Sequence, residues 1–487
     1  MPQRSLANMA SLVWWVPATQ LACLPMETNC LSMALKVLSQ LMDKRHTLNI
    51  LLALTSGMVL IPINSTMIAV GLLPIAHGVG VPLNAVVWVV TVYLVVMAAL
   101  QPIAGKLGDL LGHRLLYLSG LSIFFVSSAL AAVTPHLWAI IAFRSGQAIG
   151  GAFLTPNAMA IIRRSFEQNI LRRVLSWVSL IQGLGAACGP LIGALLIHIA
   201  GWPAMFWINI PVLCFSFGYS WRWLPSHVPS SRPQLDYVGA ISLAALLVLL
   251  SLSIPRIGSA SLVEYSFPAA GVCAIAFIIW ERHTKEPLIN FSFFANRAFT
   301  TANLAVLFNN FLMYSTLLYM PIYLKTHRHT AFTSGVMLFI FSLSMSLTSW
   351  FGGAMTRSIG SRRIIALSFA INIVVVVWYV GLIHYSSFSF IVPGLLVAGV
   401  GSGLGTVAIQ STMLESVSRS QAGMASGIYS TFRYMGSITA SSLLSIMVFS
   451  ADWHWIILLI VTISGLVLVR GIPGSPIVEP PDFKSAL

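Results

Sequence analysis

The sequence is dominated by apolar segments that are long enough to cross a lipid bilayer and that recur along nearly the whole chain. Of its 487 residues, 57% are hydrophobic and 8% are charged, and the mean hydropathy is +0.88. Soluble domains carry about 25% charged residues, whereas a helix that crosses the hydrocarbon core needs about 20 apolar residues. The composition therefore predicts an all-α polytopic membrane protein whose first partner is the lipid bilayer.

Fourteen transmembrane helices are predicted. They cover residues 48–76, 82–104, 115–133, 137–162, 173–199, 202–223, 237–255, 266–280, 299–324, 333–356, 363–384, 389–414, 421–449 and 454–471. Similar Gly-rich turns with basic residues follow the second and the tenth span, at Gly105–Arg114 and Gly352–Arg363. Internal repeats are the usual construction of transporters, so these turns predict two six-helix bundles in a pseudo-two-fold arrangement, with spans seven and eight as an insert.

The predicted domains follow from this repeat. They are an N-terminal extension (1–47), a first six-helix bundle (48–225), two inserted helices (226–290), a second bundle (291–471) and a tail (472–487). Pro17 and Pro25 interrupt the apolar part of the extension, which argues against a signal peptide. We hypothesise that translation starts at Met33 or Met42; a peptide from residues 5–30 in the purified protein, detected by mass spectrometry, would disprove this.

The charge distribution predicts the orientation. Most of the 26 Lys and Arg residues fall in alternate loops or termini on one side, which is the positive-inside pattern. The basic side, with both termini, is therefore predicted to be cytoplasmic in a bacterial-type plasma membrane. Lys325, His327, Arg328 and His329 break the rule on the outer side. Since topology explains the net charge of +14, nucleic acid is not expected as a partner.

Arg144 marks the predicted functional region, because it lies inside the fourth apolar span. A central charge costs roughly 2.5 to 3.5 kcal/mol on insertion scales, so such a residue usually faces an aqueous pathway or a buried partner. Gln147 lies three residues later and shares its helix face. The alternative is an arginine that snorkels to the membrane surface.

Two further motifs can be interpreted from the physical chemistry of their residues. The loop Gly105–Arg114 places Asp109 and Gly112 at a tight turn between helices, where an ordinary charged loop is the alternative. In the fifth span, glycines recur every four residues and Pro190 bends the helix. Close helix packing explains that glycine spacing without any further role. The glycines of this motif are Gly185, Gly189 and Gly193.

Together these motifs resemble the major facilitator superfamily. The loop is similar to its signature loop, with Gly105, Asp109, Gly112 and Arg114 as the implied conformational-switch residues. The Gly-Pro segment resembles its antiporter motif. Further matches, "GWPAMFWINIPV", Asp236 with Gly239, "WERHTKEPLINFSFFANRAF" and "GMASGIYSTFRYMGS", are similar to the fourteen-helix drug:proton antiporter family of multidrug efflux type. The resemblance covers about residues 48–471 and implies a central cavity between the bundles.

The first helix departs from that family. Where the family usually carries Asp, this chain has Asn64, followed by the matching Thr66. The resemblance implies that Asn64 lies near Arg144 and replaces its missing carboxylate partner. Asn cannot take up a proton, and none of the 12 acidic residues is predicted to be central. The remaining candidates for proton coupling are Asp109, His77, His198 and His384, although a residue of this kind near a span end is more often simply a solvated loop residue.

The predicted function is secondary export of amphipathic small molecules by alternating access, driven by protons. A metabolite exporter or uniporter without obligatory proton coupling is the alternative. Arg433 joins Arg144 in giving the cavity positive character, which favours neutral or anionic substrates. The predicted substrate contacts, for which helix packing is the alternative, are Trp88, Tyr93, Gln182, Asn309, Asn310, Tyr319 and Gln410. No catalytic constellation, metal-ligand cluster or nucleotide motif is present, so a monomeric transporter without cofactor or metal is expected rather than an enzyme.

Overall fold

The computed structural model describes residues 48–166, 168–225, 236–253, 260–284, 287, 289, 291–381, 387–417, 421–447 and 451–472. The chain forms two compact units, Met1–Leu51 and Leu52–Leu487. The first unit is described only from residue 48 onward. The predicted extension 1–47 and nearly all of the predicted tail lie outside the described residues, and so does His384. The features discussed below belong to the second unit.

The described residues contain fourteen long helices and no strand. The helices are α1 (Leu48–Val79), α2 (Leu83–Leu111), α3 (His113–Val133), α4 (Leu137–Ser165), α5 (Gln168–Ala200), α6 (Asn209–Trp223), α7 (Tyr237–Ser253), α8 (Ala260–His283), α9 (Arg297–Thr326), α10 (Ala331–Ile359), α11 (Ser361–Val380), α12 (Phe388–Glu415), α13 (Ala422–Met447) and α14 (Ala451–Leu468). Each overlaps one predicted span. Within the described part of the chain, nine are long and apolar enough to cross a membrane over all or most of their length.

The helix ends differ from the predicted ends by a few residues. α2 continues to Leu111 and α5 begins at Gln168, both beyond the apolar segment. Hydropathy marks only the part of a helix that lies in hydrocarbon, and a helix extends further wherever its backbone hydrogen bonds continue into the polar surroundings.

The packing of the helices repeats when each helix number is raised by eight. α1 packs on α5, α2 on α4, and α3 on α4 and α6; correspondingly α9 packs on α13, α10 on α12, and α11 on α12 and α14. The two halves meet along two seams, α2 with α13 and α5 with α10. These seams are equivalent, because α2 corresponds to α10 and α13 corresponds to α5. This pattern confirms the predicted pair of six-helix bundles in a pseudo-two-fold arrangement.

The turns at corresponding places in the two halves also match. Gly112 joins α2 to α3 with φ 97° and ψ 126°, and Gly360 joins α10 to α11 with φ 93° and ψ 144°. Only glycine adopts such angles without steric cost. We call the end of the bundle that carries these two turns the basic end, because it also carries Arg164 and Arg222, and we call the opposite end the far end.

The inserted helices α7 and α8 pack on each other, and α7 also packs on α2 and α13. The Asp236 carboxylate holds the start of this pair together. Its Oδ1 accepts from the backbone N–H of Gly239 at 2.8 Å and from Nε1 of Trp280 on α8 at 2.8 Å. The sequence match at Asp236 and Gly239 thus corresponds to a helix cap that also ties the two inserted helices together.

The glycines of the fifth span lie against α1. A Cβ atom on Gly189 would lie 2.0 Å from Oγ1 of Thr66 and 2.9 Å from the Ile63 carbonyl oxygen. Gly185 and Gly193, one turn away on either side, lie as close to Val59 and Met67. α1 and α5 therefore approach more closely than any larger residue would permit, as small-residue stripes allow in membranes.

Candidate transport site between the two halves

Arg144 is turned into the protein from the middle of α4, and its side chain is only 1% exposed. Its Nε donates to the Val89 carbonyl oxygen at 3.2 Å, and its Nη1 donates to Oε1 of Gln147 at 2.9 Å. Gln147 in turn donates from Nε2 to Oγ of Ser128 at 2.7 Å. This burial contradicts the snorkelling alternative, because a snorkelling head group would lie at the surface.

The Tyr93 ring of α2 covers the guanidinium group. The Arg144 Cζ atom lies 4.5 Å from the ring centroid, a distance at which the ring face attracts a cation. Nη2 of Arg144 and the Tyr93 hydroxyl are both buried and have no hydrogen-bond partner among the described residues. Buried polar groups are normally satisfied, so these two donors are available to water or to a ligand.

The second half of the protein contributes a matching group. On α13, Nη2 of Arg433 donates to the Tyr434 hydroxyl at 3.4 Å, and its Cζ lies 5.0 Å from the Tyr434 ring centroid. Tyr314 of α9 lies within electrostatic range of both Arg144 and Arg433, and Tyr93 lies within that range of Tyr434. We call these five side chains (Arg144, Arg433, Tyr93, Tyr314 and Tyr434) the Arg–Tyr cluster.

The Arg–Tyr cluster joins the halves at their centre. α2 and α4 supply two of its residues, and α9 and α13 supply the other three. A hydrogen bond between Ser65 of α1 and the Tyr314 hydroxyl closes the contact between α1 and α9. The cluster is thus a buried, cationic and aromatic site that belongs to both bundles.

The described carboxylates that can be placed lie away from this cluster. Asp109 contacts Arg164 at the basic end, and Asp236 and Glu281 lie at the insert. Glu415 is the last residue of α12. Within the described residues the two central arginines therefore face tyrosines, amides and backbone carbonyls, and the site has positive character.

Asn64 does not hydrogen-bond to Arg144. Its Nδ2 donates to Oδ1 of Asn209 on α6 at 2.7 Å, and Nδ2 of Asn209 donates back to Asn64 at 3.3 Å. Both side chains are buried. The amide at the family's Asp position therefore fastens α1 to α6, and its expected proximity to Arg144 stays a prediction.

Thr66 also serves helix packing here. Its Oγ1 lies 3.0 Å from the carbonyl oxygen of Ala186 on α5 and 3.0 Å from that of Pro62. The hydroxyl thus lies in the close contact between α1 and α5, beside Gly189.

The predicted substrate contacts are scattered. Tyr93 lies in the Arg–Tyr cluster. Asn309 donates to the Ser402 carbonyl oxygen of α12 at 3.1 Å, and Asn310 donates to the Val306 carbonyl oxygen of its own helix at 3.1 Å. Tyr319 stacks on Tyr323. Trp88 and Gln182 are half-buried, and Gln410 is exposed.

The predicted switch loop forms a compact polar group at the basic end. Oδ1 of Asp109 lies 3.1 Å from Nη2 of Arg164 and 3.1 Å from Nε2 of His113. Arg114 donates from Nη2 to the Trp221 carbonyl oxygen of α6 at 2.6 Å. Gly105 lies near Pro156 of α4. The loop therefore links α2 to α4 and α3 to α6.

Sequence reasoning missed several residues of these groups. Tyr314 and Ser65 lie in apolar helices with no charged residue close to them in the sequence. Only the packing of α1 against α9 reveals their contact. His113 was read as part of a loop, yet it is 6% exposed, and its Nδ1 lies 2.7 Å from Oδ1 of Asn157. The signal in the sequence for this burial was that His113, an ionisable residue, lies at the start of an apolar span.

Comparison with known proteins assigns the family. The model of the Major Facilitator Superfamily matches residues 52–441. The chain belongs to the major facilitator superfamily. It is a multi-pass membrane transporter rather than an enzyme, as predicted from its motifs and from the lack of a catalytic constellation.

Individual relatives agree with this assignment. The chain is 38% identical over 440 residues to the uncharacterized MFS-type transporter YvkA of Bacillus subtilis (strain 168), covering 88% of this chain and 97% of YvkA. It is 29% identical over 361 residues to the multidrug transporter protein MdtP of the same organism, covering 73% and 66% of the two chains.

A solved structure agrees with the fold. A D-xylose-proton symporter superposes with a TM-score of 0.64 at 14% identity, and the match covers 88% of this chain and 98% of the symporter. The fold expected from the resemblance is thereby confirmed.

Proposed function

We propose that this protein exports neutral or anionic amphipathic small molecules across the plasma membrane by alternating access, with the basic end and both termini in the cytoplasm. The observation that carries the proposal is the Arg–Tyr cluster, which is shared by the two halves and holds two cations. A monomer suffices, because both halves of the site lie in one chain. The similarity to MdtP supports drug-like substrates.

The two seams provide the surfaces along which the halves can move. Ser346 of α10 donates to the Gly183 carbonyl oxygen of α5 at 2.8 Å, and Thr91 of α2 lies 3.0 Å from Ser441 of α13. Small residues with short hydrogen bonds make contacts that separate and re-form at modest cost, since interhelical hydrogen bonds in membranes average about 0.6 kcal/mol. Rocking of two bundles about a central site is the common mechanism of such repeats.

The chemistry of the central site favours an anion over a cation. A lipophilic cation would meet two guanidinium groups in a low-dielectric interior, where repulsion between like charges is strong. A carboxylate or sulfonate could instead accept from the free Nη2 of Arg144, and its apolar part could stack on tyrosine rings. A neutral amphiphile could use the same rings and the Tyr93 hydroxyl.

The driving force follows from the charge of the substrate. Proton-driven antiport needs a group that changes protonation between the two arrangements. An organic anion that leaves a cell with a negative interior gains about 2.3 kcal/mol per charge per 100 mV without any proton. Export without obligatory proton coupling therefore remains the second candidate, and the amide at Asn64 favours it.

Reconstituted transport tests both readings. Proteoliposomes with a set pH gradient or a set potassium–valinomycin potential would be assayed with anionic fluorescein and cationic ethidium. We expect fluorescein transport in the wild type, and its loss in Arg144→Gln. Transport of ethidium but of no neutral or anionic compound would overturn the substrate class. Dependence on potential alone would favour uniport, and dependence on the pH gradient would favour antiport.

A companion variant tests the first helix. Asn64→Asp can accept from Nδ2 of Asn209 if that amide keeps its present orientation. If transport then becomes more dependent on the pH gradient, a carboxylate at this position suffices for coupling. An unchanged gradient dependence would show that position 64 is uncoupled from transport in this protein.

A further inference from the structure

A cavity of about 190 Å³ lies between α1, α9 and α10 at the far end. Its lining comes from the last turns of α1 and α9, the short segment that joins α9 to α10, and the first turn of α10. The lining residues are Val70, Leu73, Pro74, His77, Pro321, Lys325, His329, Ala331 and Ser334. Pro74 and Pro321 face this space from the two long helices, and proline bends a helix and leaves a backbone carbonyl without its usual partner.

The polar lining of this cavity is basic. His77, Lys325 and His329 contribute three basic side chains, and the lining residues include no carboxylate. Lys325 is one of the residues that break the positive-inside rule, so the topology of the chain does not explain a cation at this position. A positively charged concave surface attracts anions and raises their local concentration.

The cavity and the Arg–Tyr cluster both lie along the contact between α1 and α9. On α9, Lys325 follows Tyr314 by 11 residues, which is three helical turns and about 16 Å along one face. On α1, His77 follows Ser65 by 12 residues, about 18 Å. Since Ser65 and Tyr314 are hydrogen-bonded to each other, the two helices run side by side from the central site to the cavity.

We propose that this cavity is a second anion-binding site, which receives the carboxylate, sulfonate or phosphate group of an organic molecule at the outer mouth. The inference rests on the proposed function, because it extends the path of an anion from the centre outward. Drug-sized ligands occupy pockets of roughly 300–1,000 Å³, so a cavity of about 190 Å³ fits the charged group of an amphiphile rather than the whole molecule.

Among the described residues, none of the three basic side chains forms an ion pair with a carboxylate. The His329 ring packs on Phe388 of α12 at a centroid distance of 4.7 Å. Ala331 and Ser334 are the lining residues from α10, and Arg328 lies exposed beside the cavity with a backbone φ of 63°. The imidazoles of His77 and His329 can donate hydrogen bonds to an anion held beside the Lys325 ammonium group.

The test is binding of fluorescein, followed by anisotropy, to the full-length protein in nanodiscs of zwitterionic phosphatidylcholine. Lys325→Gln should weaken binding roughly tenfold, because it removes a charge-assisted contact. His77→Leu combined with His329→Leu should also weaken binding at constant pH, because it removes two hydrogen-bond donors from the cavity wall. Arg328→Gln is the matched control, since Arg328 carries the same charge nearby but does not line the cavity. All these side chains are exposed or half-buried, so the variants should fold.

Two further experiments distinguish a lipid headgroup from a free anion as the occupant, and failure of this site from failure of the proposed transport function. Nanodiscs that contain phosphatidylglycerol identify a lipid headgroup as the occupant if they suppress fluorescein binding in the wild type but not in Lys325→Gln. Wild-type affinity of Lys325→Gln and of the double histidine variant in both membranes would overturn the site. Binding at this site without transport of any compound would overturn the proposed function and leave the site standing.

Discussion

The guanidinium carbon of Arg144 lies 4.5 Å from the centre of the Tyr93 ring, while Gln147 accepts a hydrogen bond from its Nη1 at 2.9 Å. A buried arginine is thus held by a ring face, an amide and a backbone carbonyl instead of a carboxylate. Such partners attract a cation without cancelling its charge. The positive charge of Arg144 is therefore not neutralised by these partners.

This arrangement predicts that Gln147→Glu will impair binding of anions. The substitution preserves size and places a carboxylate where Oε1 of Gln147 now accepts from Arg144. A bidentate ion pair would occupy the guanidinium group, and the affinity for fluorescein should fall roughly 10- to 100-fold, as for loss of one hydrogen bond to a charged group. Fluorescence anisotropy with the purified protein measures this.

The control for Gln147→Glu is Gln421→Glu, an equal change of charge at an exposed position just before α13. It should change affinity by less than about threefold, which is below 1 kcal/mol. Equal losses in the two variants would show that Arg144 does not hold the anion.

Asn64 and Asn209 are predicted to stabilise the protein as a pair. Either Asn64→Leu or Asn209→Leu leaves the other amide buried without its partner, at a cost of about 1–3 kcal/mol. The double variant removes both amides and should recover part of this loss, with a coupling energy of about 0.5–3 kcal/mol. Thermal unfolding in detergent, followed by intrinsic fluorescence, gives the four values of the cycle. Additive losses would mean that the two amides act independently.

The helices could be predicted from the sequence because each spans the bilayer by itself. About 20 apolar residues are a local property that hydropathy records directly, and the repeated glycine turns revealed the two halves. The partners of polar side chains are not a local property. Asn64 and Asn209 are 145 positions apart, so their pairing depends on how α1 packs against α6.

Arg144 illustrates both sides of this difference. A charge inside an apolar span identified the functional region, because burying a charge is costly whatever the fold. The family resemblance assigned the missing carboxylate partner to the first helix and gave no sign of Tyr314, which comes from α9 in the other half. An aromatic residue in an apolar helix carries no signal of its own until the packing is known.

The close contact between α1 and α5 predicts a large difference between two alanine substitutions on α5. A Cβ at Gly189 would lie 2.9 Å from the Ile63 carbonyl oxygen and 3.2 Å from the Met67 nitrogen, and backbone atoms cannot turn away. Gly189→Ala should therefore destabilise by about 1–3 kcal/mol, as overpacking does, and lower the melting temperature.

Gly183→Ala provides the matched comparison. A Cβ there would lie 3.5 Å from Oγ of Ser346, an ordinary contact distance, and the gain in helix propensity is the same at both positions. Its melting temperature should equal or exceed that of the wild type. If both variants melt alike, the glycine stripe does not set the distance between α1 and α5.

His113 is predicted to hold the loop at the basic end in place. Nδ2 of Asn157 donates to the carbonyl oxygens of Ala104 and Phe153 at 3.1 and 2.8 Å, so its Oδ1 accepts from Nδ1–H of His113. The other ring nitrogen, Nε2, lies 3.1 Å from the Asp109 carboxylate. The imidazole therefore contacts α4 through Asn157 and the end of α2 through Asp109.

Loss of the His113 imidazole should therefore loosen this arrangement of the loop, in which Asp109 lies between His113 and Arg164. His113→Leu leaves Oδ1 of the buried Asn157 without its partner, which costs about 1–3 kcal/mol, so it should lower the melting temperature and slow fluorescein transport. The Asp109–Arg164 pair is more than a third exposed on both sides and contributes at most about 1 kcal/mol by itself. His283→Leu, the same change at an exposed histidine of the same end, is the control and should alter neither quantity. A wild-type melting temperature and transport rate in His113→Leu would exclude a role of His113 in holding the loop.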